Sequence, residues 1–325
     1  MDLLTAIFLD PFVRMGTNPT FLIQVIWEGF VAGVLYALVA LGFVLIFKAS
    51  GVFNFAQGIM VVFAALALVG LNEAGVPAWP ALFAAVGIML ILAIGIERVV
   101  LRPLVNQPDI ILLMATIGLT RFLVGLGEMV FGGEPKVMIT EALGIPTGIW
   151  RIPLFGKNLV LKEIDMTAAA VAIAMVAFLA VFFARTKVGR ALRAVADDHQ
   201  AALSVGISLN RIWVIVWFAA GCVALVTGIM WGARSQVSFD LEVIALKALP
   251  VLILGGFTSV PGAIVGGLII GASEKLAEIY IPPVMQDLFG GNFGGIEGWF
   301  PYVLALLFLL VRPEGLFGER HIDRV

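Results

Sequence analysis

Residues equipped for chemistry are few in this chain and far apart. His199 and His321 fall in different polar segments, and the single cysteine, Cys222, lies inside an apolar run. Neither a histidine-based catalytic site nor a cysteine metal site has its parts. There is no GxxxxGK[ST] loop, so the chain lacks the ordinary cradle for nucleotide phosphates. What stands out is a handful of polar side chains within or beside long apolar runs: Asn54 and Gln57 in VFNFAQGIM, Arg121 and Glu128, and Lys247 in LEVIALKALPVLILGG. Polar groups are costly in hydrocarbon and usually face a cavity, a partner or one another. The chemistry such groups can do is to guide a solute through a membrane, not to transform it.

Each has more than one reading. The amides of Asn54 and Gln57, with Ser50, Gly51 and Gly58 beside them, suit irregular backbone, which survives at membrane depth only when buried in protein or lining water. They either satisfy that backbone or touch a solute. Arg121 and Glu128 are seven residues apart, two helical turns, and so share a face. That face is expected to pair them or to turn inward, with a substrate-binding pair as the alternative. Lys247 is expected to snorkel or to neutralise Asp240, Glu242 or Glu274. Glu274 and Glu278, at i and i+4, read as solvent-exposed near the outer end of their span.

The elements that must position these groups follow from composition. The 325 residues are 61% hydrophobic and 13% charged, with mean hydropathy +1.08. Soluble domains are about half apolar and a quarter charged, so the solvent of this chain is lipid. A formal net charge of −2 leaves no nucleic-acid footprint. Crossing hydrocarbon takes about 20 mostly apolar residues, and runs at 21–47, 55–71, 78–101, 109–131, 164–184, 212–232, 262–280 and 298–312 qualify. A further run, 243–257, is short and reads as a half-helix or re-entrant segment. None alternates in barrel fashion. The expectation is an all-α, polytopic transmembrane helical bundle of eight or nine spans, residues 1–325 forming one domain. The start, MDLLTAIFLDPFVRMG, lacks a basic n-region, so insertion by internal spans is expected, with a short interfacial helix at 3–13. Glycines spaced by four (Gly29/Gly33, Gly262/Gly266, Gly267/Gly271) predict close helix contacts.

Between two spans lies a polar interval, 185–211, patterned like a helix. Arg185, Lys187, Arg190, Arg193 and Arg211 stand there against Asp197 and Asp198. Lys and Arg concentrate on its side of the membrane, which makes it cytoplasmic. Its apolar side offers Ala191, Leu192, Val195, Ala202, Leu203 and Val205, mainly small residues where a lipid-anchored helix would want Trp, Phe or several Leu. This favours packing into a protein groove, with Gly206 as the helix stop. On the opposite side, the 132–163 connection, GGEPKVMITEALGIPTGIWRIPLFGKNLVLKE, suggests small strands or turns. It either docks an extracytoplasmic partner or is a tolerated insertion.

GRALRAVADDHQAALSVGI, followed after one span by LKALPVLILGGFTSVPGAIVGGLIIGASEKL, resembles the permease subunits of branched-chain amino acid ABC importers of the LivH type. GVLYALVALGFVLIFKASGVFNFAQG is similar to that family's first span and its Asn-Phe-Ala-(His/Gln)-Gly signature. The resemblance runs from about 21 to 316. It implies an inner-membrane importer in which a periplasmic binding protein delivers a small solute, a second, LivM-like permease pairs with this one, and two cytoplasmic ATPases bind the ATP, so that this chain needs no cofactor and is not itself an enzyme. It implies further that Gly189, Arg190, Ala191, Asp197, Gly206 and Ile207 belong to the coupling helix that docks on an ATPase; Arg193 and Asp198 go with them. Family members carry leucine, isoleucine and valine, while relatives carry urea, short amides or aromatic carboxylates. The rival from another class is an ion-coupled secondary transporter or channel, which would need carboxylates at mid-membrane; the span interiors offer few apart from Glu128. A membrane enzyme and a scaffold both fit the residues poorly.

Overall fold

The computed structural model describes residues 10–318 apart from 52, 105, 106, 198, 292 and 293. A short helix, α1 (Asp10–Thr17), leads into α2 (Pro19–Ser50), a 32-residue helix that is the hub of the bundle. α2 starts on an Asn18 cap, whose side chain accepts from the Phe21 amide, with Pro19 in the first turn. It ends where Gly51 adopts φ 72° and returns its N–H to the Phe47 carbonyl, while the Trp213 indole donates to Ala49 O at 3.1 Å. After an irregular stretch come α3 (Gln57–Glu73), α4 (Ala78–Gly95) with a π-turn and a tight turn running on to Leu104, and α5 (Asp109–Phe131).

The expected strands of the 132–163 connection are present: β1 (Ile149–Leu154) and β2 (Lys157–Lys162) pair antiparallel through a two-residue turn at Phe155 and Gly156, both at positive φ. The hairpin is tied down. Thr20 donates to the Leu154 carbonyl at 2.8 Å, the Trp150 indole to Glu163 at 2.6 Å, and Lys136 pairs with Glu73 while its backbone bridges to Val237. Then follow α6 (Glu163–Arg185), α7 (Lys187–Asp197), α8 (His199–Ser204), α9 (Leu209–Arg234), α10 (Leu241–Leu246), α11 (Ala248–Gly255), α12 (Val260–Phe289) and α13 (Ile296–Val311). Of the short interfacial helix expected at 3–13, residues 3–9 lie outside the described residues.

Among the described residues, five helices are long and apolar enough to cross a membrane, and a sixth unit is the pair Leu241–Gly255 and Val260–Leu288, bent by 115°. That is fewer than the eight or nine expected from hydropathy. The difference lies in α3 and α13, which at 17 and 16 residues fall below the ~20 needed to cross hydrocarbon unaided. The 243–257 run is indeed broken, into α10 and α11 with Lys247 between them. The stretch after α13 folds back on the bend: Leu316 N–H donates to Leu254 O (2.8 Å) and Phe317 N–H to Gly255 O (3.2 Å).

Burial is uneven. The most apolar window of α2 is 83% buried, against 28% in α4, α5 and α6, whose outer faces carry exposed Phe83, Ile91, Phe122, Ile173 and Phe178. The tightest seam joins α2 to α12. A side chain at Gly29 would meet Gly271 O and Ala272 Cα at 2.8 Å, and one at Gly33 would overlap the Gly267 carbonyl. Without a hydrophobic drive between helices in lipid, such backbone contact is what holds them.

Candidate functional site

Two regions carry the polar chemistry. The first is the elbow from α6 to α8. Thr186 caps α7, its hydroxyl accepting from the Gly189 amide at 3.2 Å. Gly189 is buried against the last turn of α6, where a Cβ would run into the Phe183 carbonyl, and Arg193 reaches back to donate to that same carbonyl at 2.9 Å. At the far end α8 closes as the sequence suggests: Gly206 takes φ 84°, and the Gly206 and Ile207 amides return to Leu203 O and Ala202 O. The interval is therefore two helices, not one, α7 ending at Asp197 and α8 starting at His199; Asp198 lies outside the described residues.

The small-residue side is in part filled by this chain itself. Leu192 and Val195 are buried on α7, which packs on this chain's own α2, α6 and α9; Ala202 is buried on α8, and Ala191 is half-buried. The face turned outward carries Lys187, Arg190, Arg193 and Ala196, continued by Leu203 and Val205, 47% and 74% exposed. Helical period alone could not choose between an internal and an external groove.

The second region is the set of intramembrane polar groups, which the fold separates. Asn54 and Gln57 are buried in the bundle. Asn54 Oδ1 accepts from the Ala56 amide at 3.0 Å, and the Thr116 hydroxyl of α5 accepts from Phe55 N–H at 3.3 Å, so these groups hold the non-helical turn between α2 and α3. Gln57 lies over Gly42 and donates to Ala220 O at 3.4 Å. Asn54 thus satisfies broken backbone, whereas Gln57 ties α3 to α9 and its Oε1 is buried without a partner among the described residues. Arg121 and Glu128 share a face of α5, but it is the outer one: both are exposed, and neither forms an ion pair among the described residues. The expected pairing or inward orientation is thus corrected. α5 packs on α3 through its other side, where Leu123 and Thr120 are buried.

Lys247 finds one of its three candidate carboxylates. It donates to Glu274 at 2.8 Å, and the Tyr36 hydroxyl donates to the same oxygen at 3.2 Å. Glu274 is 3% exposed, which corrects the reading of it as a solvent-facing charge; Glu278 pairs with Lys275 at 2.6 Å. Around this pair the sequence reading missed a network. The Tyr36 ring stacks on Trp231 at 5.7 Å, Arg234 lies 5.3 Å over the Trp231 ring, and Arg234 bridges to buried Asp165 at 2.9 Å. The signal was present, an acid within GASEKL and an Arg at the end of an apolar run, but the partners come from distant helices.

Comparison with known proteins bears on both regions. The family described as "Branched-chain amino acid transport system / permease component" matches residues 25–310. The chain belongs to that family. The high-affinity branched-chain amino acid permease LivH of Salmonella typhimurium LT2 is 26% identical, over 96% of this chain and the whole of that protein. BraD of Pseudomonas aeruginosa PAO1 is 26% identical over 93% and 98%, and a probable LivH of Methanocaldococcus jannaschii is 29% identical over 87% and 89%. The match takes in every helix from α3 to α12 together with the elbow and both sets of polar residues. The resemblance carried by VFNFAQG and GRALRAVADDHQAALSVGI thus extends along the chain, and the multi-pass membrane character of this permease-family member fits its apolar helices.

Proposed function

We propose that this chain is the membrane-spanning permease subunit of an ATP-driven importer, moving branched-chain amino acids handed to it by a periplasmic binding protein. The observation that carries the reading is the family match across 25–310 in a chain with no phosphate loop of its own. In this reading the bent pair, α3 and α13 complete a bundle of eight or so membrane-embedded units in the inner membrane. A homologous, LivM-like permease covers the exposed face of α5, and two ATPases dock on the cytoplasmic α7–α8 elbow. The docking residues are then Lys187, Arg190, Arg193, Leu203 and Val205 on its outward face, with Asp197 in the same helix, while Gly189 and Leu192 hold the elbow to the bundle. The nucleotide cycle can shift the bundle between states only through a difference in how the ATPases grip the elbow in each.

The test joins composition to coupling. The chain purified from its native membrane is expected to bring an ATPase subunit with it, and Arg190→Ala with Asp197→Ala is expected to abolish leucine uptake while membrane abundance stays normal. Undiminished uptake in that double variant would sink the docking assignment; a chain that purifies alone and transports alone would return the ion-coupled carrier. A relative taking urea, short amides or aromatic carboxylates remains the second reading within the family, and competition of those solutes with leucine decides it.

A further inference from the structure

A recess between α5, α10 and the turn joining α2 to α3 has no role so far. It is a cavity of about 250 Å³, room for about eight waters at about 30 Å³ each, or for one small solute. Phe43 and Thr120 form its buried floor, Phe53 and Phe55 its half-buried walls, and Arg121 and Glu242 its charged lining. The aromatic wall is built stiffly: Phe43 and Phe53 stack at 4.6 Å, and Phe55 meets Phe53 edge-on at 4.8 Å. Behind it the turn bearing Phe53 and Phe55 is fixed through Asn54 and Thr116. Gly58 lets α10, which bears Glu242, sit against α3; a Cβ there would meet the Glu242 carbonyl oxygen at 2.9 Å.

The electrostatics single the recess out. Arg121 stands near the middle of a 23-residue apolar helix, and neither it nor Glu242 forms an ion pair among the described residues. A guanidinium at that depth is too costly to leave against lipid, so its face lines either water or a partner. One cation, one anion and an aromatic wall within a single small cavity are the complement of a zwitterion with an apolar side chain: carboxylate to the guanidinium, ammonium to the carboxylate, side chain to the rings.

We infer that this recess is a transit site for a free L-amino acid with an apolar side chain, Arg121 taking the carboxylate, Glu242 the ammonium and Phe43, Phe53 and Phe55 the side chain. The inference rests on the importer reading above and deepens it by naming where in the permease the solute is recognised. The site selects a second time, after the binding protein.

The test uses the complete importer in cells lacking other leucine uptake, supplied with labelled leucine and labelled phenylalanine. Arg121→Gln is expected to lower leucine uptake about tenfold to hundredfold, the worth of a lost hydrogen bond to a charged group, with ATP hydrolysis still stimulated by the binding protein. Arg121→Lys is expected to recover much of it. Phe55→Ala, which keeps both charges, is expected to raise the phenylalanine-to-leucine uptake ratio about tenfold by enlarging the side-chain wall. If Arg121→Gln fails to reach the membrane, the Phe55→Ala ratio decides alone. Normal leucine uptake in Arg121→Gln, or an unchanged ratio in Phe55→Ala, overturns the transit site and leaves the importer reading standing. No leucine uptake by the unaltered importer overturns both.

Discussion

Lys247 offers the sharpest test of how the bent hairpin is held. Its side chain, 22% exposed, donates at 2.8 Å to a Glu274 carboxylate that is 3% exposed and otherwise receives, among the described residues, only the Tyr36 hydroxyl. Lys247→Met keeps much of the volume and removes the charge, leaving a buried carboxylate with one neutral donor. Breaking a buried pair in this way costs about 3–5 kcal/mol, because the surviving charge stays desolvated. Removing that charge as well, in Lys247→Met with Glu274→Met, takes away the cause of the penalty, and the double variant is expected to regain at least about 2 kcal/mol over the single one. Thermal unfolding of the detergent-solubilised protein, followed by its tryptophan fluorescence, is the assay. At about 2 °C per kcal/mol for a large domain, the single variant is expected to melt roughly 6–10 °C lower and the double to recover about half. A single variant within about 1 kcal/mol of the parent, or a double no more stable than the single, would refute the claim that this pair locks α10–α11 to α12.

Two further outcomes are expected from the same assay. Gly33→Val sets a branched side chain into the Gly267 carbonyl across the α2–α12 seam, and the loss is expected to reach or exceed the upper end of the ~1–3 kcal/mol typical of overpacking, since backbone cannot move aside as a side chain does; a midpoint unchanged from the parent would count against the seam. Asn54→Ala strands the buried Ala56 amide, now bound at 3.0 Å, and is expected to cost about 1–3 kcal/mol; a neutral result would mean that the turn finds another acceptor.

The sequence made the helices legible because apolar runs and their breaks are local properties. The runs at 109–131 and 164–184 are α5 and α6 almost to the residue, and Gly206 stops α8 as its place in the pattern suggests. What it could not show is which faces meet. The spacing of Gly29/Gly33 and Gly267/Gly271 announces two close contacts without saying that they are the same contact, made across more than two hundred residues. Arg121 and Glu128 were rightly put on one face, but period alone does not tell inside from outside on a helix with apolar residues all round. Glu274 looked like a surface acid because its neighbour in sequence, Glu278, repels it; the Lys247 and Tyr36 that explain it lie beyond a bend and on another helix. In the 186–207 interval Leu192 and Val195 turn into this chain's own bundle while Leu203 and Val205 stay exposed, a division that residue types alone do not announce.

The backbone bonds from Leu316 and Phe317 to the end of α11 have a consequence for how the molecule is made. The carbonyls of Leu254 and Gly255 receive donors synthesised more than sixty residues later. Translation delivers the chain in order, so for all that time the bend between α11 and α12 stands with its acceptors open. It is fastened only when the stretch behind α13 arrives. The manufacture of the bundle thus has a late stitch, placed by a stretch that leaves the ribosome after α13.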